Sequence, residues 1–559
     1  MGTVKTILEW FPTVKLTSID YRILSTLIWR VKLIVLTVKL YEFEIRTIII
    51  CRFLPGCACC SPVTFLIYDT NISEAIMKTK DAIEFEYIFN PRAVALVGAS
   101  ADNGFLHALT NTKIKDKLYL VNPKYSELSG KKCYASILDI KETIDYVIIA
   151  APASQVPKVL AECIEKGVKT AHIFTAGFSE TGLVERKKLE NEVKDIAKGK
   201  IRLIGPNCMG IYCSKSGLSF TFGASFEEGP VGVISQSGTF GVEFLNLGKI
   251  RNLKFSKVIS YGNAVDLDCP DFLEYLADDP DTKVIALYME GTRNGARLKS
   301  ALAEAARKKP VLALKGGVTE HGSRAASSHT GSLAGSPEIW SSIFKQTGVI
   351  QVEDFDELLN GALALTYSPF PSGKGTTIIT NSGGFSVLET DTCVKAGLEV
   401  PQFQNETLAQ LRKIVPVAGT SISNPLDAWP IFYNLSGTSG NLADVIKILA
   451  RDRNIHSIVL HFDEINYLRH VLGAAFEGHL QELVELLVNG CQYARDEIGK
   501  PVIICISLDA YSDDEEDRRY HLMVKKAFED ERFPVFPTLK DSIKALFNLY
   551  RYGIQFHKG

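Results

Sequence analysis

The sequence has no surplus of either charge. Its 559 residues carry 62 Lys and Arg against 64 Asp and Glu, a net charge of −2 with no long basic run, which argues against a nucleic-acid-binding protein. A local phosphate site stays open, because it needs only a few donors. Cysteine is sparse, 12 in the whole chain and mostly single within apolar runs, as at Cys163 and Cys505. That is too dilute for a disulfide framework and fits a reducing compartment, the cytoplasm. Cys57, Cys59 and Cys60 cluster, but no His or second Cys pair stands at metal-ligand spacing, so coincidence explains them better than a metal or redox site. No metal site is expected in the chain.

Long uncharged apolar runs are missing too. The aliphatic stretch RILSTLIWRVKLIVLTVKLYEFEIRTIIICRF is broken by Arg22, Arg30, Lys32, Lys39, Glu42, Glu44, Arg46 and Arg52. Each uncharged run falls far short of the about 20 residues a spanning helix needs, and no signal-peptide block or cleavage site is clear. No membrane association is expected. Met77 is the only methionine between Met1 and the first recognisable strand. The functional chain is therefore expected to begin near Met77, with residues 1–76 an extension or a loosely attached appendage.

What is present is globular: 46% hydrophobic and 23% charged residues, in a length that suggests three or four domains at about 150 residues each. From residue 93 short β-branched runs alternate with helical segments. AVALVGAS, KLYLVNP, YVIIAAP, AHIFTAG and RLIGPNC make a first unit; VGVISQSG, FSKVISYGN, KVIALYMEG and VLALKGG a second; and, after the Pro/Ser/Gly-rich junction TYSPFPSGKG, TTIITNSGG, HSIVLHFDE, PVIICIS and FPVFPT a third. The fold class is α/β, with open parallel sheets whose ligands bind beyond the carboxyl ends of the strands. The expected domains are 77–220, 221–368 and 369–559.

The first unit lacks the G-x-G-x-x-G of a dinucleotide fold. Gly98 is followed by Ala99, Ser100 and a short ADNG, and the second strand ends in Asn122, Pro123 and Lys124, where an acidic ribose ligand would stand. A lysine there suits a phosphorylated nucleotide such as coenzyme A better than NAD; a solvated loop charge is the alternative. SQSGTFGVE and TNSGGFSVLE echo each other in the second and third units, each a strand, an SG turn and a helix. Such turns leave helix N–H groups open to an anion, or are ordinary N-caps at Ser237 and Ser382. The most unusual segment is SRAASSHTGSLAGS, where small residues surround His329. Neutral imidazole on such a loop is a candidate phosphoryl acceptor, and Glu290, closing the strand VIALYME, is a candidate to orient the ring, unless it is a solvated loop acid. In LHFDEINYLRH, His461 and Asp463 stand at possible ligand spacing but read better as a strand end and helix start.

Together VALVGAS, LVNPKY, GPNCMG, ISQSGTFG, LEYLADDP, ALYMEG, RAASSHTGSLAGS, TNSGGFSV and NPLDAW resemble the alpha subunit of ADP-forming acetate-CoA ligases, in the succinyl-CoA synthetase superfamily, over roughly residues 86 to 555. The resemblance implies a CoA-binding Rossmann-like domain followed by two flavodoxin-like ligase domains. It implies that His329 is the phosphorylated histidine and Glu290 the acid that steadies it. Ser237, Gly238 and Thr239 match one phosphate-binding helix start, with Gly383 and Gly384 at the comparable turn of the third domain. Gly98, Ser100 and Lys124 match the CoA-binding strand ends, and Pro152 and Ala176 the next two. Two departures stand out. The stretch after Ser100 is shorter than the family's and lacks a second glycine at the expected helix opening, which predicts weak CoA affinity. No ATP-grasp module is found, so an ATP-grasp beta subunit carrying Mg²⁺ and ADP or ATP is the expected partner in a hetero-oligomer. The alternatives are a CoA-binding regulatory or scaffold protein and, disfavoured by Lys124 and the missing glycines, an NAD-dependent dehydrogenase. Peptide mapping of the natural protein is expected to return nothing from residues 1–76; recovered peptides there would refute a start near Met77.

Overall fold

The computed structural model describes residues 31–40, 43–52, 85–324, 336–380, 382–416, 420–427, 429–432, 442–462, 465–506 and 514–556. The chain divides into two compact units, 1–86 and 87–559. In the first, β1 (Val31–Leu40) and β2 (Phe43–Arg52) pair antiparallel from Val31 opposite Arg52 to Leu40 opposite Phe43. Sequence reading found no strand pattern here because glycine punctuation is missing; the β-branched Val, Ile and Thr residues supply the propensity instead. Among the described residues no helix is long and apolar enough to cross a membrane.

The second unit holds three sheets. The first contains β3 (Val94–Val97), β4 (Leu118–Val121), β5 (Glu127–Leu128), β6 (Lys131–Tyr134), β7 (Tyr146–Ile149), β8 (Thr170–Ile173) and β9 (Arg202–Ile204), in the order β5-β6-β4-β3-β7-β8-β9. All its pairs are parallel except the terminal β5-β6 hairpin. The second contains β10 (Gly210–Cys213), β11 (Val231–Ser235), β12 (Phe255–Ser260), β13 (Val284–Met289), β14 (Val311–Lys315) and β15 (Ile350–Val352), ordered β10-β12-β11-β13-β14-β15 with only β10 antiparallel. The third contains β16 (Thr376–Thr380), β17 (Leu426–Asp427), β18 (Ser457–His461), β19 (Val502–Cys505) and β20 (Val535–Phe536), ordered β17-β16-β18-β19-β20 and wholly parallel.

Leaving aside the edge additions, the first order is that of a Rossmann sheet and the other two that of a flavodoxin sheet. The expected fold class is therefore the one observed. Every strand run read from the sequence is a strand; the short β5, β6, β10, β15 and β17 were not read. β10 precedes residue 220 yet pairs with the second sheet. The central strands are buried along their whole length, as strands covered by helices on both faces must be, hence their unbroken apolar runs.

Polar ties hold the sheets in relation to one another. The Asn263 amide, in the loop after β12, donates to Glu180 at 2.6 Å and Glu190 at 2.9 Å. Arg293 donates to the Asn263 carbonyl at 2.8 Å. Helices Phe355–Tyr367 and Leu539–Phe556 pack together and share hydrogen bonds from Asn548 to Glu357 (3.0 Å) and from Lys544 to Glu353 (3.0 Å). Under the second sheet, the ammonium of Lys257 on β12 meets Asp279 at 2.7 Å, both residues buried, and Thr282 donates to the same carboxylate at 2.6 Å. Removing only the cation leaves a buried carboxylate uncompensated. Lys257→Met is therefore expected to cost about 3 kcal/mol, read as an earlier unfolding midpoint in urea or heat; an unchanged midpoint would show the pair to be neutral.

Candidate functional site

In each sheet the chain leaves its first central strand and returns on the other side, and the candidate site residues that are described lie past the carboxyl ends of strands at or next to that reversal. In the first sheet the reversal lies between β3 and β7. Gly98 follows β3 with φ +86°, and a Cβ there would stand 2.7 Å from the carbonyl carbon and oxygen of Ala150 beyond β7, so only glycine fits. Its N–H donates to Val121 at 2.9 Å. Ser100 is half-buried, and the Asn122 amide holds the turn by donating to the Ala99 carbonyl at 2.7 Å. Lys124, Pro152 and Ala176, past β4, β7 and β8, are exposed on the same edge. The following helix α1 (Gly104–Thr110) opens on a glycine after all, with Asn103 as N-cap accepting from Phe105 at 2.9 Å and Leu106 at 3.3 Å. A side chain at Gly104 would meet nothing within 4 Å. The glycine of ADNG is thus the helix-opening residue that the sequence was expected to lack there.

In the second sheet the reversal lies between β11 and β13. Helix α2 (Gly238–Ile250) starts after Ser237, whose hydroxyl accepts from Phe240 at 3.5 Å, while Thr239 on its first turn is exposed. Ser235 donates to the Ser237 carbonyl at 2.7 Å. The buried Gln236 side chain reaches across the reversal: its carbonyl oxygen accepts from the backbone N–H of Glu290 at 2.7 Å and of Gly291 at 3.1 Å. Glu290 is buried and accepts from the Tyr288 hydroxyl at 3.2 Å; it is not a solvated loop acid. Burial, with the neighbouring carboxylate adding to it, raises the Tyr288 phenol, which remains a donor. The Tyr288 ring packs on Phe240, centroids 4.2 Å apart. Lys315, ending β14 beside Met289, is buried next to them. Gln236, Tyr288 and Lys315 escaped sequence reading; the signal for Lys315 was a charged residue closing an otherwise apolar strand.

In the third sheet Gly383 and Gly384 form the first turn of helix α3 (Gly383–Ala396), after β16. A Cβ at Gly383 would approach an Asp427 carboxylate oxygen at 2.9 Å, whereas Gly384 faces open space. Ser382 makes no side-chain bond to the helix it precedes, so here the N-cap reading fails while at Ser237 it holds. His461 ends β18, as read, and a helix starts at Ile465. Its Nδ1 pairs with the buried Glu389 of α3. Burial disfavours the charged ring, but hydrogen bonds with Cys505 and Glu389 outweigh it and raise the His461 pKa to about 10. Among the described residues no group of three or more His, Cys, Asp or Glu is placed to hold a metal. His329, Asp463 and the cysteines at 57, 59 and 60 lie outside the described residues. Gly98→Ala is expected to destabilise the first domain by about 1–3 kcal/mol, from positive φ and the Ala150 contact together; a melting curve superimposable on wild type would contradict this.

Comparisons with known proteins place the chain among relatives. Residues 92–214 match the CoA binding domain family, and residues 228–365 the succinyl-CoA ligase like flavodoxin domain. The alpha subunit of acetate–CoA ligase (ADP-forming) II of Pyrococcus furiosus is 41% identical over 67% of this chain and 81% of its own length. The alpha subunit of the type I enzyme from the same organism is 34% identical over 84% of this chain and 98% of its own. The acetate–CoA ligase (ADP-forming) of Methanocaldococcus jannaschii is 45% identical, but the alignment spans 49% of its length; the chain thus covers about half of such longer relatives. A solved structure of the dinucleotide-forming acetyl-coenzyme A synthetase 1 of Ca. Korarchaeum cryptofilum, in complex with phosphate and ADP, superposes with a TM-score of 0.70 at 29% identity, covering 85% of this chain and 97% of that one. The chain belongs to the family of ADP-forming acetate–CoA ligases, on the side represented by their alpha subunits.

Proposed function

We propose that the chain is the alpha subunit of an ADP-forming acyl-CoA synthetase that works as a phosphoryl relay. Phosphate attacks the thioester carbonyl of a bound acyl-CoA, the C–S bond breaks, and acyl phosphate and CoA form. His329 then attacks phosphorus, the carboxylate leaves, and the phosphoryl group rests on the imidazole until a β-phosphate oxygen of ADP takes it. The sum is acyl-CoA, ADP and phosphate giving acid, ATP and CoA, and it runs in both directions.

The roles distribute over the three domains, 77–220, 221–368 and 369–559. Gly98, Ser100, Lys124, Pro152 and Ala176 share the edge of the first sheet where CoA would lie. The glycine-only passage between Gly98 and Ala150 supports close approach of a ligand backbone there. Glu290 would orient His329, and Ser237, Gly238 and Thr239, with Gly383 and Gly384, would present helix N–H groups to the phosphoryl oxygens. The observation that carries the reading is Glu290, buried and held across the β11–β13 reversal by Gln236 beside an opening helix. A carboxylate is kept out of water in this way where it must hold an imidazole, not where it must be solvated. Because the Pyrococcus furiosus relatives are alpha subunits, the Mg²⁺ and nucleotide chemistry is assigned to an ATP-grasp partner, in a cytoplasmic hetero-oligomer.

Intact mass of the full chain after incubation with acetyl-CoA, phosphate and magnesium tests the proposal, with His329→Ala alongside. An acid-labile phosphoryl adduct in wild type and none in His329→Ala is expected. No adduct in either, even with acetyl phosphate supplied and an ATP-grasp subunit added, would favour a CoA-binding regulatory protein.

A further inference from the structure

Lys315 stands where the second sheet's site opens. It is the last residue of β14, beside Met289 in register, and only 4% of it is exposed. Its ammonium donates to the neighbouring Gly316 carbonyl and lies 5.2 Å from the centroid of the Trp340 ring. Among the described residues no carboxylate is ion-paired with it, though Glu290 is near enough to act on its charge. Burial holds the ammonium below the ordinary lysine range, with Glu290 acting in the opposite sense. The backbone fixes this placement. A Cβ at Gly316 would lie 2.7 Å from the Tyr288 hydroxyl and 3.5 Å from Glu290 Cγ, so the chain leaves β14 directly over the acid.

A buried ammonium is costly unless an anion meets it. A lysine placed only to neutralise Glu290 would pair with it, yet this one points its donors to a carbonyl and an aromatic face. Its charge is therefore left for something that arrives. The start of α2, tied to Glu290 through Gln236, offers further donors at the same edge, and that combination of a cation and free N–H groups selects a phosphate rather than a carboxylate or a thiol.

Resting on the relay proposed above, we infer that Lys315 is a phosphate-binding residue at this sheet end, meeting the phosphoryl group beside Glu290. Two readings on the full chain test it: calorimetric binding of inorganic phosphate, and the acetyl phosphate concentration that half-saturates adduct formation on His329. Lys315→Met is expected to weaken phosphate binding and raise that concentration by about tenfold, the worth of one charge-assisted hydrogen bond. Lys315→Arg should recover part of both. If wild type binds phosphate and Lys315→Met binds it equally well, the inference is overturned while the relay stands. If wild type binds phosphate and loses it in Lys315→Met but no adduct ever forms, the relay fails and the binding role stands. Should Lys315→Met melt early, Lys315→Gln, which keeps a donor for Gly316, replaces it, and wild-type phosphate affinity in that variant overturns the role equally.

Discussion

The second domain's site depends on one side-chain amide. Where parallel strands end, the backbone N–H groups beyond the sheet have lost their ladder partners and must be satisfied otherwise. Gln236 solves this for two at once, accepting from Glu290 and Gly291 across the reversal between β11 and β13. Because Gln236 itself belongs to the turn that opens α2, the same contact fixes the helix start and the carboxylate in one frame. The other two sheets close their reversals differently. The first does so by backbone contact, with Gly98 against Ala150, and the third by the His461–Glu389 pair joining β18 to α3. Glycine, amide and ion pair are three answers to one constraint, that a site at a strand-order reversal must be held from both sides.

That constraint also explains what sequence could and could not show. The strands were legible because both faces of each sheet are covered, so apolar runs stand out against the turns. The short strands near sheet margins were less so: β6 reads Lys-Lys-Cys-Tyr and β15 Ile-Gln-Val, where part-exposed positions break the apolar run, although the terminal β9 and β20 were read. Gly98, Ser237 and Gly383 were legible as punctuation at strand ends. Their partners were not, since Gln236 meets Glu290 54 residues further on and Glu389 meets His461 72 residues away, and no local pattern encodes such pairings. Glu290 drew attention only through its neighbours; that it is buried, which separates an orienting acid from a solvated one, is a property of packing.

The aromatic layer behind the second site joins it to the rest of the unit. Tyr288, which donates to Glu290, packs on Phe240 of α2, and Phe240 packs on Phe355, centroids 4.9 Å apart. Phe355 opens the helix Phe355–Tyr367, whose far face meets the C-terminal helix through Glu357, Asn548 and Lys544. Closely packed rings and buried hydrogen bonds do not deform smoothly. A displacement of the third domain relative to the second would therefore be felt at the acid. Arg251, bonded to Asn360 at 2.8 Å on the same helix, ties the far end of α2 into this frame.

Charge bookkeeping sets how tightly such a site can hold a phosphoryl group. At the end of the second sheet the buried acid Glu290 and the buried ammonium of Lys315 stand near one another, and the α2 N-terminus adds the equivalent of about half a positive charge. At the third, His461 and Glu389 cancel within their own pair. Among the described residues neither end gathers an excess of cations. A relay of the kind proposed must accept the group and then release it, and its intermediates lose rate if they are bound too well. Donors at helix starts, with the one lysine inferred above, fit the transfer in both directions proposed for this chain.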